Sequence, residues 1–423
     1  METKLKNKSL KYFENLKGIG VKEKVQLFYE FYQYSKEQKH SNYRIASKTG
    51  SGSNIVVIDP YTNIEQSCIS FVSNDYLGFT KHPKIIKAGI EALKVFGAGA
   101  GSSPLIGGQS ILHNKLERKI ADFFNKEDAI TFTSGYAANS GTLLPFFSNE
   151  DLVILDMGVH ASVLEGAILT NKKYFLHNDI ISLERILYQN MGKYTNIVII
   201  IDGIYSQDGD IAPLDKISSL AKEYNAFLIV DDAHGIGVVG EKGKGVFELY
   251  DIYDKVDLIT GTFSKTFASV GGYVAGSKEL ITFLKYFSAS NIFSAAATPQ
   301  SVNTVIKAID LMKEEPHWIK KLQENILYFK SGLKTINIDF GKSNSAIFPI
   351  MIRNEEKTKK IGRKLFELGI YANPILYPAV SRKQTRIRMS ILATHDKNML
   401  DKTLNILEDV LKENNVLKEN NIL

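Results

Sequence analysis

The chain has 423 residues, 44% hydrophobic and 23% charged, which suits a large globular domain accompanied by one or two smaller ones. No apolar run approaches the roughly 20 residues of a membrane span, and one cysteine, Cys68, excludes an internal disulfide framework and points to a reducing cytoplasm. The net charge of +6 is interspersed with acids, so it reads as a solvated surface rather than a nucleic-acid footprint, with at most peripheral membrane association.

In chain order, METKLKNKSLKYFENLKG is basic but lacks an apolar core and a cleavage site, so no secretory signal is expected. KEKVQLFYEFYQYSK repeats apolar residues at helical spacing and predicts a helical arm. From Ile55 to Val72, short β-branched runs broken by Asp59-Pro60 and Thr62-Asn63 predict a hairpin or small sheet. Five short apolar runs then alternate with helical stretches: AITFTSG, LVILD, NIVIIIDG, AFLIVDD and DLITGTF. Such alternation predicts a mostly parallel sheet with helices on both faces, the α/β class, with ligands at the carboxyl ends of the strands. HWIKKLQENILYFKSGL, SAIFPIMI and RIRMSILA predict a smaller C-terminal α+β domain. The expected division is 1–74 for the arm and hairpin, 75–310 for the large α/β domain and 311–423 for the rest. VLKENNVLKENNIL repeats only twice and reads as a fraying helix end.

Polar residues gather at the predicted strand ends. In TFTSGYAANSG, Ser134, Gly135 and Tyr136 fall at a helix start, where backbone N–H groups favour an anion such as phosphate. An ordinary serine-glycine loop is the alternative. His160, in DMGVHASVLEG, follows another strand end and has small neighbours; a structural histidine is the competing reading. Asp231, Asp232 and His234 follow the most apolar strand, and adjacent buried carboxylates need cationic or hydrogen-bonding partners. Metal binding is the rival there, but no further ligands stand at recognisable spacing, so no metal is expected.

GTFSKTFASVGGYVAG sets Lys265 among small residues, hydroxyls and glycines. Crowding of this kind can desolvate an amine and make it a nucleophile toward carbonyls. Pyridoxal 5'-phosphate combines the matching demands: an aldehyde for Lys265, a phosphate for Ser134–Tyr136, a ring nitrogen for Asp231 and a ring face for His160.

The order SNDYLG, SGYAANSG, HAS, HND, YSQDGDIAPL, DDAHGIGVVGEKGKG, GTFSKTFASVGGYVAG, IFSAAATPQ and RIRMSILATH resembles the α-oxoamine synthases, from Ser73 to His395. These are fold-type I pyridoxal-phosphate transferases that join an amino acid to an acyl-CoA thioester with loss of carbon dioxide. The resemblance implies that Lys265 bonds the cofactor aldehyde and moves protons at the substrate α-carbon. It further implies that Asp231 pairs with the ring nitrogen, His234 with the phenolic oxygen and His160 with the ring face. Ser206 would lie near the ring and Thr262 would help hold the phosphate. Asn74 and Arg388 match positions that handle the amino acid, Arg388 gripping its carboxylate by its guanidinium fork. A homodimer with active sites at the interface is also implied.

SNDYLG and DDAHG suit the 8-amino-7-oxononanoate synthase branch, which uses alanine and a pimeloyl thioester on CoA or acyl carrier protein. GTFSKTF, NIFSAAATPQ and the long arm are similar to the serine palmitoyltransferase branch, which uses serine and a long acyl-CoA. Pro104 and Ala295 depart from the family pattern, at positions near the acyl channel and the partner subunit's phosphate site.

Overall fold

The computed structural model describes residues 8–40 and 42–417. The basic start at 1–7 and the end of the tail repeat at 418–423 lie outside the described residues.

The chain divides into two compact units, residues 1–73 with 324–423, and residues 74–323. In the first, the expected arm helix runs over Val21–Glu37, and strands β1 (Asn54–Ile58) and β2 (Glu65–Ser70) form the expected antiparallel hairpin.

Residues 74–323 carry a seven-stranded sheet made of β3 (Asp128–Phe132), β4 (Leu152–Asp156), β5 (Asn171–Phe175), β6 (Ile197–Asp202), β7 (Phe227–Asp231), β8 (Leu258–Thr262) and β9 (Gly272–Gly276). Their order is β3-β9-β8-β7-β6-β4-β5, and only β9 runs antiparallel to its neighbours. Strands β4, β6 and β7 read as continuous apolar runs because helices cover both faces, so Val153, Leu155, Val198, Ile200 and Ile229 are all buried. Two strands escape the sequence reading. NKKYF (β5) lies at the sheet edge and is largely polar, while GYVAG (β9) follows the lysine loop and pairs with both β3 and β8.

The later strands are β10 (Ile347–Met351), β11 (Ile370–Tyr371), β12 (Asn373–Ile375) and β13 (Arg386–Ser390). Strand β13 pairs antiparallel with β10 and β12, whereas β11 adds in parallel to β2 and makes the hairpin a three-stranded sheet. Through this pairing residues 1–73 share a unit with the C-terminal segment. The boundary between the two compact units near the C-terminal segment falls at residues 323/324, inside the helix His317–Thr335.

Candidate active site

The carboxyl ends of β4, β6, β7 and β8 converge on a cavity of about 280 Å³ within residues 74–323. Ser134, Gly135 and Tyr136 line one part of it; His160, Ser206, Asp231 and His234 line another; Thr262 and Lys265 complete the residues expected around a cofactor, while Asn74 and Arg388 are not among the lining residues. Asn139, Asp202 and Ser264 also line it and were not anticipated.

Ser134 caps the helix Gly135–Phe146, its hydroxyl accepting from the Ala137 N–H at 3.0 Å. The helix N-terminus therefore faces the cavity with its partial positive charge. Glycine is required at 135: an added Cβ would lie 2.8 Å from the Thr262 Cβ. The Thr262 hydroxyl donates to the Gly271 carbonyl at 2.9 Å and lies 2.8 Å from the Ser264 hydroxyl, so two side-chain oxygens border the helix start. Tyr136 is exposed and its phenol donates to Glu165.

Lys265 is half-buried in the loop after β8. Its carbonyl accepts from the Ala268 N–H at 2.9 Å, and Ala268 takes a left-handed φ of 55°, a conformation unusual for alanine. Asp231, at the end of β7, accepts from Asn139 Nδ2 at 2.6 Å and from the Ala233 N–H at 3.0 Å. The adjacent Asp232 turns away from this cavity into a separate enclosure. It accepts from the Val246 N–H at 2.9 Å, and a Cβ at Gly203, Gly235 or Gly245 would collide with its carboxyl at 2.5, 2.1 and 1.9 Å. Burial pushes the Asp232 carboxyl well above the usual carboxylate range. The two carboxylates of DDAHG thus do different work, Asp231 facing the cavity and Asp232 the packed interior.

His160 precedes the short helix Ala161–Gly166, and its Nδ1 lies 2.7 Å from the Ser162 hydroxyl. Burial lowers its pKa, the Asp231 carboxylate raises it and the Lys265 ammonium lowers it, and the net shift is downward, favouring a neutral imidazole. Asp202, fully enclosed at the end of β6, is pushed well above the carboxylate range by burial and by Asp231. The Tyr76 phenol lies 2.7 Å from His234 Nδ1 and a longer 3.4 Å from Asn74 Oδ1, which links Asn74 to the cavity. Arg388 belongs to the other unit, half-buried on β13, where its Nη1 donates to the Ser390 hydroxyl at 3.0 Å. Pro104 opens the single π-helical turn Pro104–Gly108, and Ala295 is exposed.

The profile of the family "Aminotransferase class I and II" matches residues 66–407. This chain belongs to that family. An 8-amino-7-oxononanoate synthase of Thermoanaerobacter pseudethanolicus is 41% identical over 350 residues, 82% of this chain and 89% of that protein. A serine palmitoyltransferase of Sphingobacterium spiritivorum is 39% identical over 347 residues, 82% of this chain and 87% of that protein. A solved serine palmitoyltransferase holding pyridoxal phosphate as an internal aldimine superposes with a TM-score of 0.88 at 27% identity, covering 94% of this chain and all of that one. The fold is accordingly the fold-type I transferase fold of pyridoxal-phosphate enzymes.

The cavity of this family member fits pyridoxal phosphate on its own chemistry. It offers a capped helix N-terminus with hydroxyls for a phosphate, a carboxylate at a strand end for a ring nitrogen, and an amine for an aldehyde. Among the described residues, no group of His, Cys, Asp and Glu is placed to hold a metal ion, and no helix is long and apolar enough to cross a membrane.

Proposed function

We propose that this chain condenses a small amino acid with an acyl-CoA thioester, releasing carbon dioxide, CoA and an α-aminoketone. The reaction of first choice is that of the 8-amino-7-oxononanoate synthases, with alanine and a pimeloyl thioester. The observation that supports it most directly is the clustering of Lys265, Asp231, His160 and His234 around one cavity whose edge is the helix start at Ser134.

Bound pyridoxal phosphate supplies an electron sink that stabilises negative charge on the substrate α-carbon. The phosphate would sit at the Ser134–Tyr136 helix start with Thr262 and Ser264. The Asp231 carboxylate would hold the ring nitrogen in its protonated form. His234 would donate to the phenolic oxygen, and His160, with Ser206 nearby, would keep the ring flat against the sheet ends. Lys265 would take the α-proton and later return a proton to the product. Asn74 and Arg388 would orient the substrate, Arg388 through its carboxylate, so that the breaking bond stands perpendicular to the ring. A homodimer in the cytoplasm, with the active site shared between subunits, completes the proposal.

A second reading, condensation of serine with a long acyl-CoA, draws on the solved serine palmitoyltransferase, whose likeness extends over 94% of the chain. Thiol release from pimeloyl-CoA and palmitoyl-CoA, each with alanine or serine, separates the two. Thiol is expected only when both substrates are present. Conversion of the cofactor to pyridoxamine phosphate by an amino acid alone, without thiol release, would replace both readings with transamination.

A further inference from the structure

A continuous set of hydrogen bonds joins two cavity residues that the proposed function treats separately. Asn139 is buried on the helix Gly135–Phe146. Its Nδ2 donates to Asp231 Oδ2 at 2.6 Å and to the Ser162 hydroxyl at 2.9 Å, while its Oδ1 accepts from the Thr260 hydroxyl at 2.6 Å. The amide orientation follows from chemistry: a carboxylate only accepts, so the amide nitrogen must face Asp231.

The direction of the next bond is then set. The Ser162 oxygen receives the second Asn139 proton, which leaves its own proton for His160 Nδ1 at 2.7 Å. The Ser162 backbone N–H also points at Nδ1, at 3.3 Å. With donors on both approaches, Nδ1 must be bare and the imidazole proton must reside on Nε2.

We infer that Asn139 is a positioning residue: a single amide holds the Asp231 carboxylate in place and, through Ser162, sets His160 as its Nε2–H tautomer. The catalytic consequence rests on the pyridoxal-phosphate reading, whereas the tautomer does not. Thr260 locks the amide from behind, so the arrangement has one orientation.

The test is long-range proton–nitrogen NMR on the full-length protein labelled with nitrogen-15 histidine, with and without pyridoxal phosphate, the His160 signals being identified by their loss in His160→Asn. The wild type should show an unprotonated Nδ1 and a protonated Nε2. Asn139→Asp puts an acceptor where a donor stood, so the Ser162 proton should turn toward it and the His160 proton should move to Nδ1. The same variant should bind pyridoxal phosphate about tenfold or more weakly, because Asp231 loses a charge-assisted partner. Ser162→Ala keeps the Asp231 contact but removes one donor to Nδ1, and should give a tautomer mixture even if Asn139→Asp fails to fold. A protonated Nδ1 in the wild type, or an unchanged tautomer in a folded Asn139→Asp and in Ser162→Ala, would overturn the inference. Failure of the wild type to bind pyridoxal phosphate would sink the cofactor reading instead, leaving the tautomer result standing.

Discussion

The Tyr76 phenol and Nδ1 of His234 lie 2.7 Å apart, both residues buried, although 158 positions separate them in sequence. Tyr76 commits Nδ1, so only Nε2 of His234 can serve a bound ligand. Tyr76→Phe keeps the ring and removes this buried hydrogen bond. Urea unfolding should show a loss of about 1–3 kcal/mol. Pyridoxal-phosphate affinity should fall with it, since His234 would no longer be held in one orientation.

His177 is clamped between two carboxylates, Nδ1 to Asp156 at 2.8 Å and Nε2 to Asp210 at 2.9 Å. Burial opposes the charge, but the two carboxylates outweigh it and raise the imidazolium pKa to about 10 from an ordinary value of 6.5. A raised folded-state pKa contributes stability that is complete below pH 6.5 and lost as pH rises through about 10. His177→Gln should therefore be destabilised most at pH 6, by about 1–3 kcal/mol. This is less than a fully buried pair gives, because the ring is partly exposed. The difference from wild type should shrink as unfolding is measured at successively higher pH up to 10.

His395 gives the opposite sign. Its ring stacks on Phe71 at 4.5 Å, Nδ1 accepts from the Leu392 N–H at 3.1 Å and Nε2 faces the Ser70 carbonyl at 3.1 Å. Burial depresses its pKa to about 4, so it folds neutral. Stability from this group is present above pH 6.5 and is lost as pH falls through about 4, by up to about 3 kcal/mol. Acid unfolding of His395→Gln, compared with wild type between pH 7 and 4, should show a shallower fall.

Gly272→Ala tests the anion cradle without touching a polar side chain. The added Cβ would lie 2.5 Å from the Ser134 carbonyl oxygen and 2.7 Å from the Gly135 nitrogen, both backbone atoms with little room to yield. Overpacking here should cost about 1–3 kcal/mol. It should also displace the helix start, so affinity for pyridoxal phosphate should fall by more than affinity for dephosphorylated pyridoxal.

Much of this site was legible before folding. Apolar runs ending in polar residues marked β3, β4, β6, β7 and β8, and the motifs at those ends carried Lys265, Asp231, His160 and Ser134 to one cavity. What stayed hidden depends on long-range contact. No local signal says that Ile370 and Tyr371 pair with β2, about 300 residues earlier, which joins the two ends of the chain in one unit. Asn139 lay inside a quoted motif, yet its value comes from Asp231 and Thr260, at sequence separations of 92 and 121. Asp231 and Asp232 are chemically identical in sequence; only the glycine enclosure around the second tells them apart.

Every role proposed for the cavity depends on Lys265 bonding pyridoxal phosphate there. The direct measurement is borohydride reduction of the full-length protein loaded with pyridoxal phosphate, followed by peptide mass spectrometry, with Lys265→Ala alongside. The wild type should carry a pyridoxyl group fixed on Lys265 as a secondary amine, and the variant no specific label. A wild type that takes no label at Lys265, or a Lys265→Ala protein labelled to the same extent, would contradict it.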